Sequence, residues 1–559
     1  MDLGVATLAA IMPSAAVLAP VALPLVAAGV IAVFRLAGMS LGRVAAAIGA
    51  WGAVAALLAV WIPVRSSLEL TLGALGYGSS FDLRVDAVTF AFGLMIATPT
   101  AVLLTLQPRT WQEMSISLVG LASAIAAIEG GSVVLTALAG ATAGTVAIVL
   151  LETEDPRAPR PSWATVLAGW LALSWVGVML QVGGGTAVYS AVPVATVTAP
   201  LFAVLAVAAL LASNLFPWRT WPADLWSRPS LRAAGITVAI LYPLGFYLLV
   251  RAYELGDGRY PHPLFHAGLA ILGVTAAFAA AARAQAAATR RKFLGEVIPF
   301  FGGFALASIA IGTALGLVAG LVLLATAAAM VACLALLPDR AGLAAMVSIA
   351  AAVGLPPGLA FGARVIGIEA TFEAGDLLGL IGVAAAAAWA LLMVGGARAI
   401  GLPGGRGHPA TETFAGVSMA IAVLTLLAGP AIAAVQTGFA NPVATEVMST
   451  SALGGGLTTV DTVSSVLPAV TLFAPLLILG VLVYAVAGTS AIRTQSRAAL
   501  FKLPEGGIWQ RARETVRALT VPEQYRSILN IRELEIAAVG GQPLLWLAAL
   551  AALAFAVTR

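Results

Sequence analysis

The sequence predicts an all-α polytopic membrane protein of about sixteen transmembrane helices, arranged as an inverted repeat with two broken helices. Three observations carry this expectation. Of the 559 residues only 10% are charged and 61% are hydrophobic, with a mean hydropathy of +1.01. So few charges do not cover a water-exposed surface, where about a quarter of residues are normally charged. The apolar residues gather in runs close to the ~20 residues a helix needs to cross a bilayer. These runs are Ala-rich and do not alternate, which argues against a closed barrel, the other way to satisfy backbone groups in lipid. Finally, proline clusters interrupt two of the runs.

In chain order the first ten spans are expected near 15–34, 44–61, 86–106, 113–128, 132–151, 163–181, 194–213, 233–250, 263–282 and 294–311. The last six are expected near 314–337, 343–365, 376–394, 414–435, 466–487 and 542–557. The N-terminal run lacks a basic region and carries Pro13, Pro20 and Pro24, so it reads as a first span and not a cleaved signal. Lys and Arg concentrate on alternate connections. One set holds Arg35, Arg43, Arg109, Arg157, Arg160, Arg219, Arg228, Arg232, Arg283, Arg290 to Lys292, Arg340, Arg398 and Arg406. The other set reads as neutral or acidic, down to Glu446 and Asp461 in the connection 437–465. Positive loops stay on the cytoplasmic side, which places the N-terminus outside a bacterial-type inner membrane.

Several classes of function are disfavoured at this level. A net charge of +4 suggests no nucleic-acid partner. The lone Cys333 forms no intramolecular disulfide, and one Cys with three His builds no cysteine-ligated cluster. No cofactor or metal is therefore expected in this chain.

The breaks lie in LFPWRTWPADLWSRPS (215–230), after the seventh span, and in VGLPPGLAFGAR (353–364), within the twelfth. Proline removes a backbone donor and clashes with the preceding turn. Such a break survives in lipid only where protein or water satisfies the freed groups. Spans four to eight and nine to thirteen would be the two halves, with the breaks in corresponding places. The expected divisions are 1–107, 108–253, 254–397, 398–490 and 491–559.

These motifs resemble those of the antiporter-like membrane subunits of respiratory complex I, membrane-bound hydrogenases and Mrp antiporters. The first matches the family's Leu-Phe-Pro-Phe-His-Thr-Trp-Leu-Pro-Asp-Ala-His, with Pro217, Thr220, Trp221 and Asp224 retained and Arg219 in place of the His. The second resembles Gly-[Val/Leu]-Pro-x-x-x-Gly-Phe-x-x-Lys; it contains Pro356 and Pro357, and Arg364 stands at the Lys. FDLRVDAVTFAF (81–92) resembles the family's entry to the third span. ATRRKFLGEVIPFFGGFAL resembles its tenth-span start, retaining Gly303 and Phe304.

The same resemblance shows what is missing. The family's fifth-span Glu falls on Gly140 or Ala141, and its seventh-span Lys on Ala212. Its eighth-span Lys falls near Pro243, and its eleventh-span His and Lys fall on Ala327 and Val331. Ionisable groups at mid-membrane are costly enough to imply a use, so their loss implies a depleted proton pathway. Arg364 remains, held by water, backbone carbonyls or an acid such as Glu369. An arginine stays protonated and does not readily relay a proton.

Other residues read as structural. His262 and His266, four apart, are expected at the membrane interface and not on a metal. Glu129 is expected in a short solvated turn, and Trp218, Trp221 and Trp226 in an interfacial belt. The glycine triplets 183–185 and 454–456 lack the context of phosphate loops. WQRARETVRAL, in the basic segment 493–532 before the last span, reads as a short amphipathic stretch at the membrane surface.

The resemblance implies a structural membrane subunit of a complex I-like or hydrogenase-like assembly. Quinone, iron–sulfur and nickel–iron centres would sit in partner subunits. The alternatives are an ion-translocating subunit of an Mrp-type or inorganic-carbon uptake module, or a stand-alone secondary transporter.

Overall fold

The computed structural model describes residues 16–448, apart from 77–78, 156–162, 214, 216–220, 229, 338–341 and 405–411. The expected spans 466–487 and 542–557 and the basic segment before the last span lie outside the described residues.

The chain opens with α1 (Ala19–Leu36) and α2 (Gly42–Val64). A short hairpin follows, β1 (Leu68–Gly76) and β2 (Ser79–Val85), antiparallel with Leu68 opposite Val85. This hairpin adds a strand pair to an otherwise all-α expectation. Its alternating residues, LELTL and FDLRV, were masked by their position between two long apolar runs.

Then come α3 (Ala87–Leu106), α4 (Trp111–Ile128), α5 (Val133–Glu154), α6 (Trp163–Gly184) and α7 (Ala199–Ser213). Their starts are set by local chemistry. Asp86 and Ser132 accept hydrogen bonds from backbone N–H groups three residues on, and Thr110 with Glu113 forms a reciprocal capping box. After the short α8 (Trp221–Trp226) the chain forms α9 (Arg232–Leu255), α10 (Pro263–Ala286), α11 (Arg290–Ala310) and α12 (Ala314–Leu336). The last described elements are α13 (Leu343–Val353), α14 (Leu359–Glu373), α15 (Asp376–Ile400), α16 (Glu412–Leu427), α17 (Ile432–Val435) and α18 (Asn441–Val447).

Eleven of these helices are long and apolar enough to cross a membrane, and α16 with α17–α18 forms a further pair bent by 95°. A π-helical turn, Gln436–Ala440, joins α17 to α18. The two broken spans are α7, which stops at Ser213, and the α13–α14 pair, separated at Gly354 to Gly358. All fourteen expected spans that fall within the described residues therefore have a helical counterpart. The chain is a multi-pass membrane protein.

Its centre is made of α9, α11, α12 and α3, whose span windows are 100%, 94%, 89% and 83% buried, whereas α1 and α6 reach only 33%. Small residues permit this density, because lipid gives helices no hydrophobic reason to associate and close backbone approach must supply the contact. A Cβ on Gly273 of α10 would lie 2.4 Å from Ala307 N of α11, and one on Gly303 would lie 2.5 Å from Ala277 N.

The arginines of the basic connections do local work too. Arg43 donates to Thr105 O and Leu106 O at the end of α3, at 2.8 and 2.9 Å. Arg228 reaches Leu151 O and Asp155 O at the end of α5 (3.2 and 2.9 Å), and Arg290 reaches Leu402 O just past α15 (3.1 Å). Each meets carbonyls at or just past a helix C-terminus and complements the negative end of its dipole.

Candidate functional site

Three of the positions to which the resemblance assigns relay residues line one small, mostly apolar cavity. Pro243 of α9 and Ala327 and Val331 of α12 converge on one small cavity, completed by Val238, Ala239, Tyr242, Leu324 and Ala328. Its water-accessible volume is about 10 Å³. A water needs roughly that volume and two to four polar partners. The Tyr242 hydroxyl, the polar side chain here, already donates to Ile298 O at 3.0 Å.

The other two relay positions are closed by packing. At Gly140 a Cβ would lie 2.4 Å from the Trp170 ring, so the indole of α6 fills the place an acid would need. Ala212 is buried near the end of α7. Two glycines clamp the α7 backbone around it: a Cβ on Gly169 would meet Ala212 N at 3.0 Å, and one on Gly245 would meet Ser213 N at 2.1 Å.

Arg364 of α14 is fully buried and turns back to the break in its own span. It donates from Nη1 to Val353 O and from Nη2 to Ala352 O (3.3 Å), the last carbonyls of α13. Trp389 Nε1 shares Val353 O at 2.8 Å. The guanidinium also lies over the rings of Phe300 and Phe301, at 5.0 and 4.7 Å from their centroids. Gly354 explains why this cap is possible. Its φ of +74° suits glycine, and a Cβ there would lie 2.2 Å from Arg364 Nη1. Glu369 is not the partner: among the described residues it forms no ion pair with Arg364, and its Oε2 has no hydrogen-bond partner. Its place one and a half turns further along α14 points it away. Arg364 is held by a helix C-terminus and aromatic faces.

The richest polar cluster was not singled out from sequence. Asp86, at the start of α3, meets Arg251 near the end of α9, with Arg251 Nη2 2.9 and 2.7 Å from its two oxygens. Arg251 also pairs with Glu254 at 2.5 Å and contacts Tyr247 OH and Thr89 Oγ1, both at 3.1 Å. Arg84 on β2 lies 2.9 Å from Asp86 and 2.8 Å from Glu446 of α18. Glu446 also accepts from Ala87 N at 2.8 Å, so it ties the bent last helix to the start of α3. Asp86, Glu254 and Glu446 lie close enough to share a cation, but two guanidinium groups already occupy the space among them. The cluster is an ion-pair network, not a metal centre.

Two residues lie deeper than their sequence suggested. Glu129 is fully buried beside this network, not solvated: β2 folds over the turn, and Arg84 N donates to Glu129 O at 2.6 Å. Trp226 is fully buried too, packed on Gly295 of α11, and does not join an interfacial belt. Asp224 lies on α8, where its carbonyl accepts from Ser227 Oγ at 2.6 Å. Pro217, Arg219 and Trp218 lie outside the described residues, as does the Trp221 side chain. Pro356 and Pro357 occupy the turn between α13 and α14.

The two histidines are used separately. His262 caps α10 by accepting from Leu264 N (3.2 Å), and His266 Nδ1 lies 3.1 Å from Ile311 O with its ring edge-on to Tyr260.

Helices of membrane-spanning length, with breaks after Ser213 and at Gly354 to Gly358, give the chain the fold of antiporter-like membrane subunits. Solved structures with this fold confirm the assignment. The chain is similar to one in the Mrp complex from Dietzia sp. DQ12-45-1b, with a TM-score of 0.72 and 19% identity over 96% of this chain and 63% of that one. It therefore spans less than two thirds of the Mrp chain. It is also similar to a chain of respiratory complex I from Thermus thermophilus, with a TM-score of 0.64 and 20% identity over 79% of this chain and 100% of that one. A third similarity is to the membrane-bound sulfane sulfur reductase, an archaeal respiratory membrane complex (TM-score 0.61, 16% identity, 90% and 99% coverage). No family model matches the sequence, and no curated protein matches it.

Proposed function

We propose that this chain is a membrane subunit of a multi-subunit, complex I-like energy-converting assembly, and that it does not pass protons through its centre. The observation that carries the reading is the convergence of Pro243, Ala327 and Val331 on a single apolar void. Protons cross lipid along ionisable groups and water, and the ionisable group lining this cavity, the Tyr242 hydroxyl, is already bonded to Ile298 O. Arg364 then serves the fold, as the cap of a broken helix. Quinone and metal centres would belong to partner subunits, and the basic connections would face the cytoplasm with the N-terminus outside.

A second reading, an ion-translocating subunit of an Mrp-type module, draws support from the similarity to the Mrp chain over 96% of the present one. The test is isolation from the native membrane through a tag. The chain should copurify with further membrane subunits, and deleting residues 493–559 should weaken that association more than any change in a connecting loop. Recovery as a monomer with full transport activity would contradict the subunit reading.

A further inference from the structure

Glu129 occupies a place that offers a carboxylate nothing. It follows the last residue of α4, is fully buried, and neither carboxyl oxygen has a hydrogen-bond partner among the described residues. Three nearby backbone donors are committed elsewhere. Its own N–H binds Ile125 O (2.8 Å), Gly131 N–H binds Asp82 O (2.7 Å), and Val133 N–H binds Ala187 O (2.9 Å).

The ionisable groups on the surrounding elements are Asp82 and Arg84 on β2, Asp86 before α3, Tyr189 after α6, Tyr247, Arg251 and Glu254 on α9, and Glu446 on α18. None of them hydrogen-bonds the Glu129 carboxyl. Both arginines are engaged by Asp86, Glu254 and Glu446. An ionised carboxylate left unpaired in such a site is strongly disfavoured, and burial pushes this carboxyl well above the usual range.

The backbone beside it is wired to the ion-pair network. Ile128 O accepts from Tyr247 OH at 2.9 Å and from Thr89 Oγ1 at 3.1 Å, and both hydroxyls contact Arg251. That network reaches the surface at Glu254 and Glu446, whose side chains are 16% and 20% exposed.

We propose that Glu129 is a proton-binding site: its carboxyl carries a proton at neutral pH and exchanges it with the aqueous phase on the Asp86–Arg251 side of the bundle. The direction of exchange rests on the dry centre of the preceding reading; the presence of the proton does not. The site would give the chain a titrating group on one side of a sealed core.

Two measurements on the full chain in its complex test this. Dicyclohexylcarbodiimide, an apolar reagent that modifies protonated buried carboxyls, should label Glu129 at neutral pH, with labelling that falls as pH rises and disappears in Glu129→Gln. Stability supplies the second arm. A carboxyl whose folded pKa is raised loses stability as pH climbs from its unfolded to its folded pKa. Glu129→Gln should therefore unfold together with the wild type in acid and at increasingly higher temperature than it as pH rises through neutral. An unlabelled Glu129, or a Gln variant less stable than wild type at neutral pH, would overturn the proposal. In sealed vesicles labelling should follow the pH on the Asp86 side. Labelling that follows the opposite compartment would overturn the direction of exchange and the dry centre while leaving the proton site standing.

Discussion

Replacing Asp86 by Ala should be among the most damaging single changes in the chain. It removes three interactions together: the cap of α3 (Thr89 N, 2.8 Å), the two-oxygen contact with Arg251 (2.9 and 2.7 Å) and the contact with Arg84 (2.9 Å). Stripping one partner from a buried ion pair costs about 3–5 kcal/mol, and loss of an N-cap costs about 1 kcal/mol. The terms share one side chain and do not add. Arg251 keeps Glu254 and Arg84 keeps Glu446, so the expected loss lies near the low end, about 3 kcal/mol. Asp86→Asn keeps a capping oxygen and should lose less. The double variant Asp86→Leu with Arg251→Met removes both charges and should recover much of the loss, because an apolar pair of similar volume often replaces a buried ion pair without penalty. The assay is built into the sequence. Cys333 is the lone cysteine and fully buried, so a fluorogenic maleimide reports unfolding as a rise in signal on heating in detergent. Asp86→Ala unfolding at the wild-type temperature would refute the reasoning. So would a double variant no better than the sum of its singles.

The packing around the breaks and the lost relay gives further expectations. Gly354→Ala puts a non-glycine residue at φ +74° and a Cβ 2.2 Å from Arg364 Nη1. The backbone alone costs about 1–2 kcal/mol, and the displaced guanidinium adds to it, so the same thiol assay should show earlier unfolding. Gly140→Glu puts an acid at one of the two positions the resemblance assigns to the family's Glu, and its Cβ would lie 2.4 Å from the Trp170 ring. Overpacking of this kind costs about 1–3 kcal/mol, and the variant should lose yield without gaining proton transport. Glu446→Gln keeps one acceptor but loses the charge that Arg84 meets; limited proteolysis should cut earlier near α18. An unchanged digestion pattern would show that Glu446 does not hold this helix down.

How far the sequence reveals this architecture depends on whether the signal is local. Spans are legible because bilayer thickness fixes their length, and the breaks because proline announces them; even Gly354 sits visibly in VGLPPGLAFGAR. Asp86 and Arg251 pair across 165 residues of chain, a contact no window contains. A hint was present all the same: Asp86 opens an apolar run with Thr89 three residues on, and Arg251 sits near the end of an otherwise apolar span. Glu129 precedes Gly130 and Gly131 and so looks like a solvated turn; only the folding of β2 across it makes it buried. The basic connections served as orientation markers, yet Arg43, Arg228 and Arg290 also cap helix ends, a role that depends on which helix terminus arrives beside them. The relay positions were read from a resemblance, and the structure adds what surrounds them: an indole at Gly140, closely packed backbone at Ala212, and a shared small cavity at Pro243, Ala327 and Val331.

The dry centre is tested most directly by proton uptake in proteoliposomes holding the intact complex. Wild type is compared at equal assembly with Arg364→Ala and with Ala327→Val, which adds two methyl groups to the void of about 10 Å³. The account predicts that Arg364→Ala lowers the yield of assembled complex, and that proton uptake per assembled complex matches wild type in both variants. A variant that assembles normally yet loses a clear share of proton flux would place Arg364 or Ala327 on a working path, and the centre of this subunit would not be sealed.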